Sequence, residues 1–234
     1  MSEWAMKRFW TEVSFQPEGD RFAVKLDGRS VKTPAKAALL VPTEAMAERI
    51  AEEWDAQAEA VDPARMPWTR SANAAIDKVA TQRIEVEDHL AGYAGSDLLC
   101  YRAEGPDSLV ARQQEVWDPV LDWLATRYDV RLSVGTGVMP VEQSADDIAR
   151  LASAMTPMSD FQLTGFYDLV TLSGSFGLAL AVVNDLQPVA DLWAASRLDE
   201  TWQIEQWGDD EEAAEVAAIK ERAFLHAAEV FRAG

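Results

Sequence analysis

Residues 161–183 constrain this chain more than any other stretch. They read FQLTGFYDLVTLSGSFGLALAVV, with Asp168 as the single charged residue. Leu169, Leu172, Phe176, Leu180 and Val183 recur at helical spacing and form one broad apolar stripe. Ser173, Gly177 and Ala181 stand four apart, a small-residue face that a neighbouring helix could approach closely. A helix apolar on most of its sides is either a core helix or a membrane span. The length would just reach across a bilayer, which takes roughly 20 apolar residues. Asp168, Gln162, the run of Ser, Thr and Gly, and the lack of basic residues at either end argue for the core. The stretch is read as one buried helix around which the rest packs.

The 234 residues suffice for one large domain or two small ones with a substantial core. The net charge of −19 decides more. A nucleic-acid binder must offer Lys and Arg to phosphates, and an anionic membrane surface asks for the same. Neither partner is expected. One cysteine, Cys100, excludes an internal disulfide and, with only His89 and His226 beside it, leaves no ligand set for a structural metal. The N-terminal MSEWAMKRFW has neither an apolar signal core nor an Arg/Ser-rich leader. A cytoplasmic chain, or a mature form whose leader has been removed, is expected.

The first forty residues alternate as strands do. Segments 11–15, 21–26, 30–33 and 37–41 are expected to form a meander, with a turn at 17–20 and a hairpin at Asp27-Gly28. Lys25, Arg29, Lys32 and Lys36 make this the one basic stretch, read as a solvated sheet face. Thr43 is placed to cap a helix running to about residue 60, with Ala47, Ile50, Ala51, Trp54, Ala58 and Val61 on one side. Pro63 and Pro67 then force extended connections.

From there the periodicity is helical. Short helices are expected over 69–80 and 81–93. A further helix begins at Asp107 and is expected to kink or restart at Asp118-Pro119. A short strand is expected over 130–134, and a modest helix over 146–154. Asn184-Asp185 close the long apolar helix, Pro188 opens the next, and Gly208 ends the one after that as a C′ glycine. Residues 209–212 then set negative charge in the first turn of the last helix, along which Val216, Ile219, Phe224 and Val230 supply apolar contacts. The fold class is α+β: a small β-rich N-terminal subdomain with one helix over 1–62, then a larger all-helical domain over 63–234.

Several segments carry a resemblance. LDGRSVKTP at 26–34, EWDAQ at 53–57, DPARMPWTRSAN at 62–73, DLLCYR at 97–102 and RLDETWQIEQWGDDEEA at 197–213 resemble the assembly chaperones of the F1 sector of ATP synthase. The wording is that of the family handling the F1 alpha subunit. The resemblance implies a monomeric chaperone that uses no nucleotide, metal or other cofactor. It implies binding of free alpha subunit, shielding the surface that later meets the beta subunit. Lacking a leader, the chain is expected to be a bacterial cytoplasmic member, or a processed form in the mitochondrial matrix.

No H-E-x-x-H, G-x-S-x-G, Walker sequence or Cys-His constellation is present, and Cys100 is read as a buried thiol rather than a nucleophile. No catalytic residue is assigned. The alternative from another class is an acid-base hydrolase pairing Asp199 or Glu200 with Glu205. The partner-binding residues are sought in 198–208: Glu200 first, then Glu205 and Trp207, with Asp199 and Gln203 beside them. On a helical projection Glu200, Ile204 and Trp207 cluster, whereas Asp199, Gln203 and Gln206 form a polar stripe. Glu200 could equally pair with Arg197, three residues earlier.

Overall fold

A computed structural model describes residues 7–208 and 210–234. Its contacts divide into two compact units. One comprises residues up to 83 with Ser159–Gly165 and Glu229–Gly234, the other Ile84–Met158 with Phe166–Ala228.

The first unit is a small antiparallel sheet covered by helices. Strands β1 (Val13–Glu18), β2 (Arg21–Leu26) and β3 (Arg29–Ser30) follow one another, and β4 (Leu40–Val41) also pairs with β2. Asp27 and Gly28 take φ of 47° and 76°, the left-handed pair that a two-residue hairpin requires. Leu26 therefore faces Arg29 in register. Helix α1 (Glu44–Asp55) starts at Thr43, whose hydroxyl accepts from the Met46 N–H. Met46, Ala47, Ile50, Ala51 and Trp54 meet Trp10, Val24, Leu26, Val31, Leu39 and Val41 in one apolar cluster. The helix stops at Asp55, short of residue 60, and Ala58 is exposed. Arg8 supplies the stop: its guanidinium donates to the Asp55 carbonyl at 2.7 Å, a cation at the negative end of the helix.

Helix α2 (Pro67–Ala74) has Met66 at its N-cap, a side chain that offers no acceptor. Glu53, reaching across from α1, accepts from the Trp68 and Thr69 N–H groups at 2.6 and 2.8 Å and from the Thr69 hydroxyl at 2.7 Å. That carboxylate does the work of a missing cap. The helix runs into a π-turn over Ala75–Val79, which buries Ala75 and Val79.

Among its described residues the second unit is helical apart from one two-residue parallel pairing. Helix α3 (Arg83–Gly95) leads into it. Strand β5 (Tyr101–Arg102) pairs with β6 (Gly135–Thr136), so the strand expected over 130–134 forms at a glycine and threonine just beyond it. Helix α4 (Asp107–Tyr128) is continuous through Pro119, so of the kink or restart expected there the restart does not occur. Proline removes one intrahelical hydrogen bond, but Trp117, Val120 and Leu124 are all fully buried on one side and hold the helix across it. Helix α5 (Ala145–Ala152) is capped by Ser144.

The long apolar stretch is two helices, not one: α6 (Asp160–Ser173) and α7 (Phe176–Val183). Gly174 breaks it with φ of 70°, and Ser175 begins the second helix by accepting from the Leu178 N–H. Both halves lie in the core, with Phe166, Leu169, Val170, Phe176, Leu178 and Leu180 fully buried. No helix among the described residues is long and apolar enough to cross a membrane. The small-residue face is used where expected at Gly177: a Cβ there would meet Leu124 of α4 at 3.0 Å. Helices α8 (Val189–Ser196), α9 (Leu198–Trp207) and α10 (Glu211–Ala233) complete the chain.

Candidate functional site

Helix α9 owes its position to its two ends and one flank. Leu198 is buried at the start, and Asp199 and Glu200 place negative charge in the first turn, where the dipole favours it. At the far end Gly208, with φ of 92°, terminates the helix. The flank is tied to α4 by two polar contacts. The Gln113 amide donates to Asp199 Oδ1 at 2.7 Å, and its oxygen accepts from the Ala103 N–H. Arg112 Nη1 lies 2.9 and 2.7 Å from the two oxygens of Glu205. Gln113 is fully buried and Asp199 partly so, and this bridge fixes α9 against α4 with the amide shielded from solvent.

The opposite side of α9 faces α10 across an open groove of about 560 Å³. Glu200, Gln203, Ile204 and Trp207 line it from α9, and Ala213, Ala214, Ala217 and Ala218 from α10. Trp193 of α8 walls its inner end, its ring 5.3 Å from Phe224 in the core. The Arg197 guanidinium sits over the Trp193 ring and pairs with Glu200 at 2.8 Å. The ion pair allowed by the sequence is therefore made, and Glu200 still borders the groove. Trp207 is 79% exposed, an unusual condition for an indole.

The five residues sought in 198–208 thus divide. Glu200, Gln203 and Trp207 meet on the groove, joined by Ile204. Asp199 and Glu205 turn to α4, each with its own donor. Gln203 leaves the polar stripe that placed it with Asp199. Glu200, Asp199 and Glu205, the carboxylates of the hydrolase alternative, engage three different partners: Arg197, Gln113 and Arg112. Sequence reasoning missed Arg112 and Gln113, which lie far away in the chain, and Trp193, five residues before α9; none of the three carries a motif. It also missed the alanine floor, whose signal was present as AAEVAA at 213–218.

Helix α10 departs from its expectation too. Phe224 and Val230 are buried, but Val216 and Ile219 are 46% and 51% exposed, so its first turns lack the packing predicted for them. Asp210 caps it, accepting from the Glu212 and Ala213 N–H groups. Asp209, assigned to the same first turn, lies outside the described residues.

Elsewhere, Cys100 is buried as predicted. Its thiol is pushed up to about 12 by burial first and by neighbouring Asp97 second, the reverse of an activated nucleophile. Asp97 itself escaped sequence reasoning. It is fully buried and accepts from the Leu99 N–H, the Ser175 hydroxyl and the Gly177 N–H. Among the described residues no three His, Cys, Asp or Glu side chains gather as a metal site would.

Comparison with known proteins fits this geometry into a family. The sequence profile described as ATP12 chaperone protein matches residues 7–125. The crystal structure of Atp12 from Paracoccus denitrificans has 44% sequence identity and a TM-score of 0.93, over 98% of this chain and 99% of that one. A lysine-for-aspartate mutant of P. denitrificans Atp12p matches equally well over 99% of each chain. Protein atp12, mitochondrial, of Schizosaccharomyces pombe is 25% identical over 224 residues, spanning 91% of this chain and 77% of its own. The solved structures cover α9 and α10, which lie beyond the profile. The chain belongs to the ATP12 family, the chaperones of F1-ATPase assembly.

Proposed function

We propose that this protein is a holding chaperone that binds free F1 alpha subunit. It covers the alpha surface that later meets beta and is displaced as the ring assembles. It acts as a monomer, without nucleotide, metal or catalysis. The contact is made by Glu200, Gln203 and Trp207 on the α9–α10 groove, and Asp199 and Glu205 hold α9 in place. The observation that carries the site is Trp207, four-fifths exposed beside a carboxylate in a family of assembly chaperones. Aromatic side chains that stand in solvent are strong contact residues, and a neighbouring charge selects the partner. Unassembled interfaces aggregate through their apolar patches, so occupying one is a sufficient mechanism. On this reading the protein works in a bacterial cytoplasm or, as a processed eukaryotic form, in the mitochondrial matrix, in keeping with bacterial relatives and a mitochondrial one.

Co-expression with alpha subunit alone tests this. The soluble fraction of alpha should rise, and the two chains should elute together on gel filtration. Unchanged solubility with no joint peak would defeat the proposal.

A further inference from the structure

The groove bears marks of the shape that fills it. Four of the nine large apolar side chains most exposed among the described residues are Ile204, Trp207, Val216 and Ile219, all on α9 and the first half of α10. No residue of α10 from 211 to 223 is buried. Helices in proteins draw most of their stability from packing an apolar face, yet here Ala214, Ala217 and Ala218 are only partly covered where they line the groove, and Val216 and Ile219 stand exposed outside its lining. The α10 alanines stand at 213, 214, 217 and 218, which leaves a hollow between ridges spaced four residues apart. Trp193, Ile204 and Trp207 wall that hollow. Such a hollow receives the large side chain of another helix.

We infer that the groove takes an amphipathic helix of the client, with leucine-sized side chains over Ala214 and Ala217 and lysine or arginine along its rim. This rests on the proposal that the chain holds alpha subunit and names the alpha segment it would grip. A helix is favoured over an extended segment because α9 and α10 satisfy their own backbones and offer no open ladder to a strand. Its charge follows from the rim. Between residues 197 and 221 the sequence has nine acidic side chains against two basic ones, and Glu200 and Glu221 both border the groove. An acidic helix would be repelled there, whereas a basic one is drawn in.

Two variants and two peptides test the inference. Ala217→Leu fills the hollow without changing charge, and Trp207→Ala removes one wall; neither residue is buried, so thermal melting should stay near that of the parent. The probes are a synthetic leucine-lysine amphipathic helix and the same peptide with glutamate for every lysine, followed by fluorescence anisotropy. The lysine peptide should bind the parent and compete with alpha subunit, and the glutamate peptide should not bind. Each variant should weaken the peptide and alpha subunit together by roughly tenfold or more. If both variants bind alpha as the parent does, the groove assignment is overturned and the holding function stands. If the parent ignores alpha subunit altogether, the holding function fails, while the peptides still judge the groove. Equal binding of the two peptides, or no loss in either variant, refutes the basic-helix occupant.

Discussion

Asp97 and Ser175, 78 residues apart in sequence, share a 2.7 Å hydrogen bond in the fully buried core of the second unit. The same carboxylate accepts from the Gly177 and Leu99 N–H groups. It therefore replaces, for the start of α7, the hydrogen bonds lost when Gly174 breaks the apolar stretch. Asp97→Ala leaves three buried donors without an acceptor. Each such loss costs about 1–3 kcal/mol, so the variant should lose about 3 kcal/mol or more. A shift of the urea midpoint to lower concentration with an unchanged slope is the expected result. A variant as stable as the parent would show that α7 does not depend on this anchor.

The pH dependence of that anchor has a definite sign. Burial is the largest influence on the Asp97 carboxyl and raises it above the ordinary 3.8. The folded state thus holds this proton more tightly than the unfolded state, and its stabilisation fades as pH rises through the folded value. Asp97→Asn abolishes that titration. The stability deficit of the variant should be greatest below about pH 3.8 and shrink as pH rises. Denaturation measured across that range checks it; a deficit that grows with pH contradicts it.

Much of the fold was legible in the chain. Asp27-Gly28 announced its hairpin because few other pairs take the two left-handed positions. Thr43 announced α1 because a hydroxyl just before an apolar stripe is a cap. The break inside 161–183 was not legible, since Leu169, Phe176 and Leu180 keep their period across Gly174 and the compensating acceptor lies at Asp97. Pro119 misled in the opposite direction as to a restart: of the kink or restart that the local rule predicts, the restart is overridden by the burial of Trp117 and Val120. The change of periodicity near residue 62 marks where alternation stops, but which contacts a segment joins is not written in its period. The site was half legible. Glu200 and Trp207 share a helix face that projection finds, whereas the α10 wall and the α4 ties belong to other helices.

Gly177 shows how tightly α7 lies against α4. A Cβ there would stand 3.0 Å from Leu124 Cδ1 and 3.3 Å from Leu99 Cδ1. Gly177→Val adds two further methyl groups into that contact, and overpacking of this kind costs about 1–3 kcal/mol. Thermal unfolding should show the loss. An equal or higher midpoint would mean that the two leucines yield freely.

Cys100 should be inert in the folded protein. It is fully buried, and a thiol pushed up to about 12 holds almost no thiolate at neutral pH. Ellman's reagent should titrate no thiol in native buffer and one in denaturant, as the sequence contains a single cysteine. Rapid native labelling would contradict the buried assignment.

Glu200→Lys separates a client contact from an ordinary surface ion pair. In the parent Glu200 pairs with Arg197 at 2.8 Å, the two side chains being 46% and 27% exposed. Pairs three residues apart on a solvated helix contribute about 0.2–0.5 kcal/mol, and solvent screens them. Replacing the carboxylate by an ammonium loses that pair and sets two like charges together, a penalty of similar size. The total is near 1 kcal/mol, which in a chain of this length moves the melting midpoint by about 2–4 °C. If the pair were all that Glu200 provided, holding of alpha subunit would be untouched. If Glu200 selects a basic client surface beside Trp207, the change presents repulsion where attraction was needed, and holding should be lost with the fold intact. The measurement is soluble alpha subunit on co-expression, alongside the melting midpoint of the purified variant. Full holding, or a loss that appears only with unfolding, would remove Glu200 from the site.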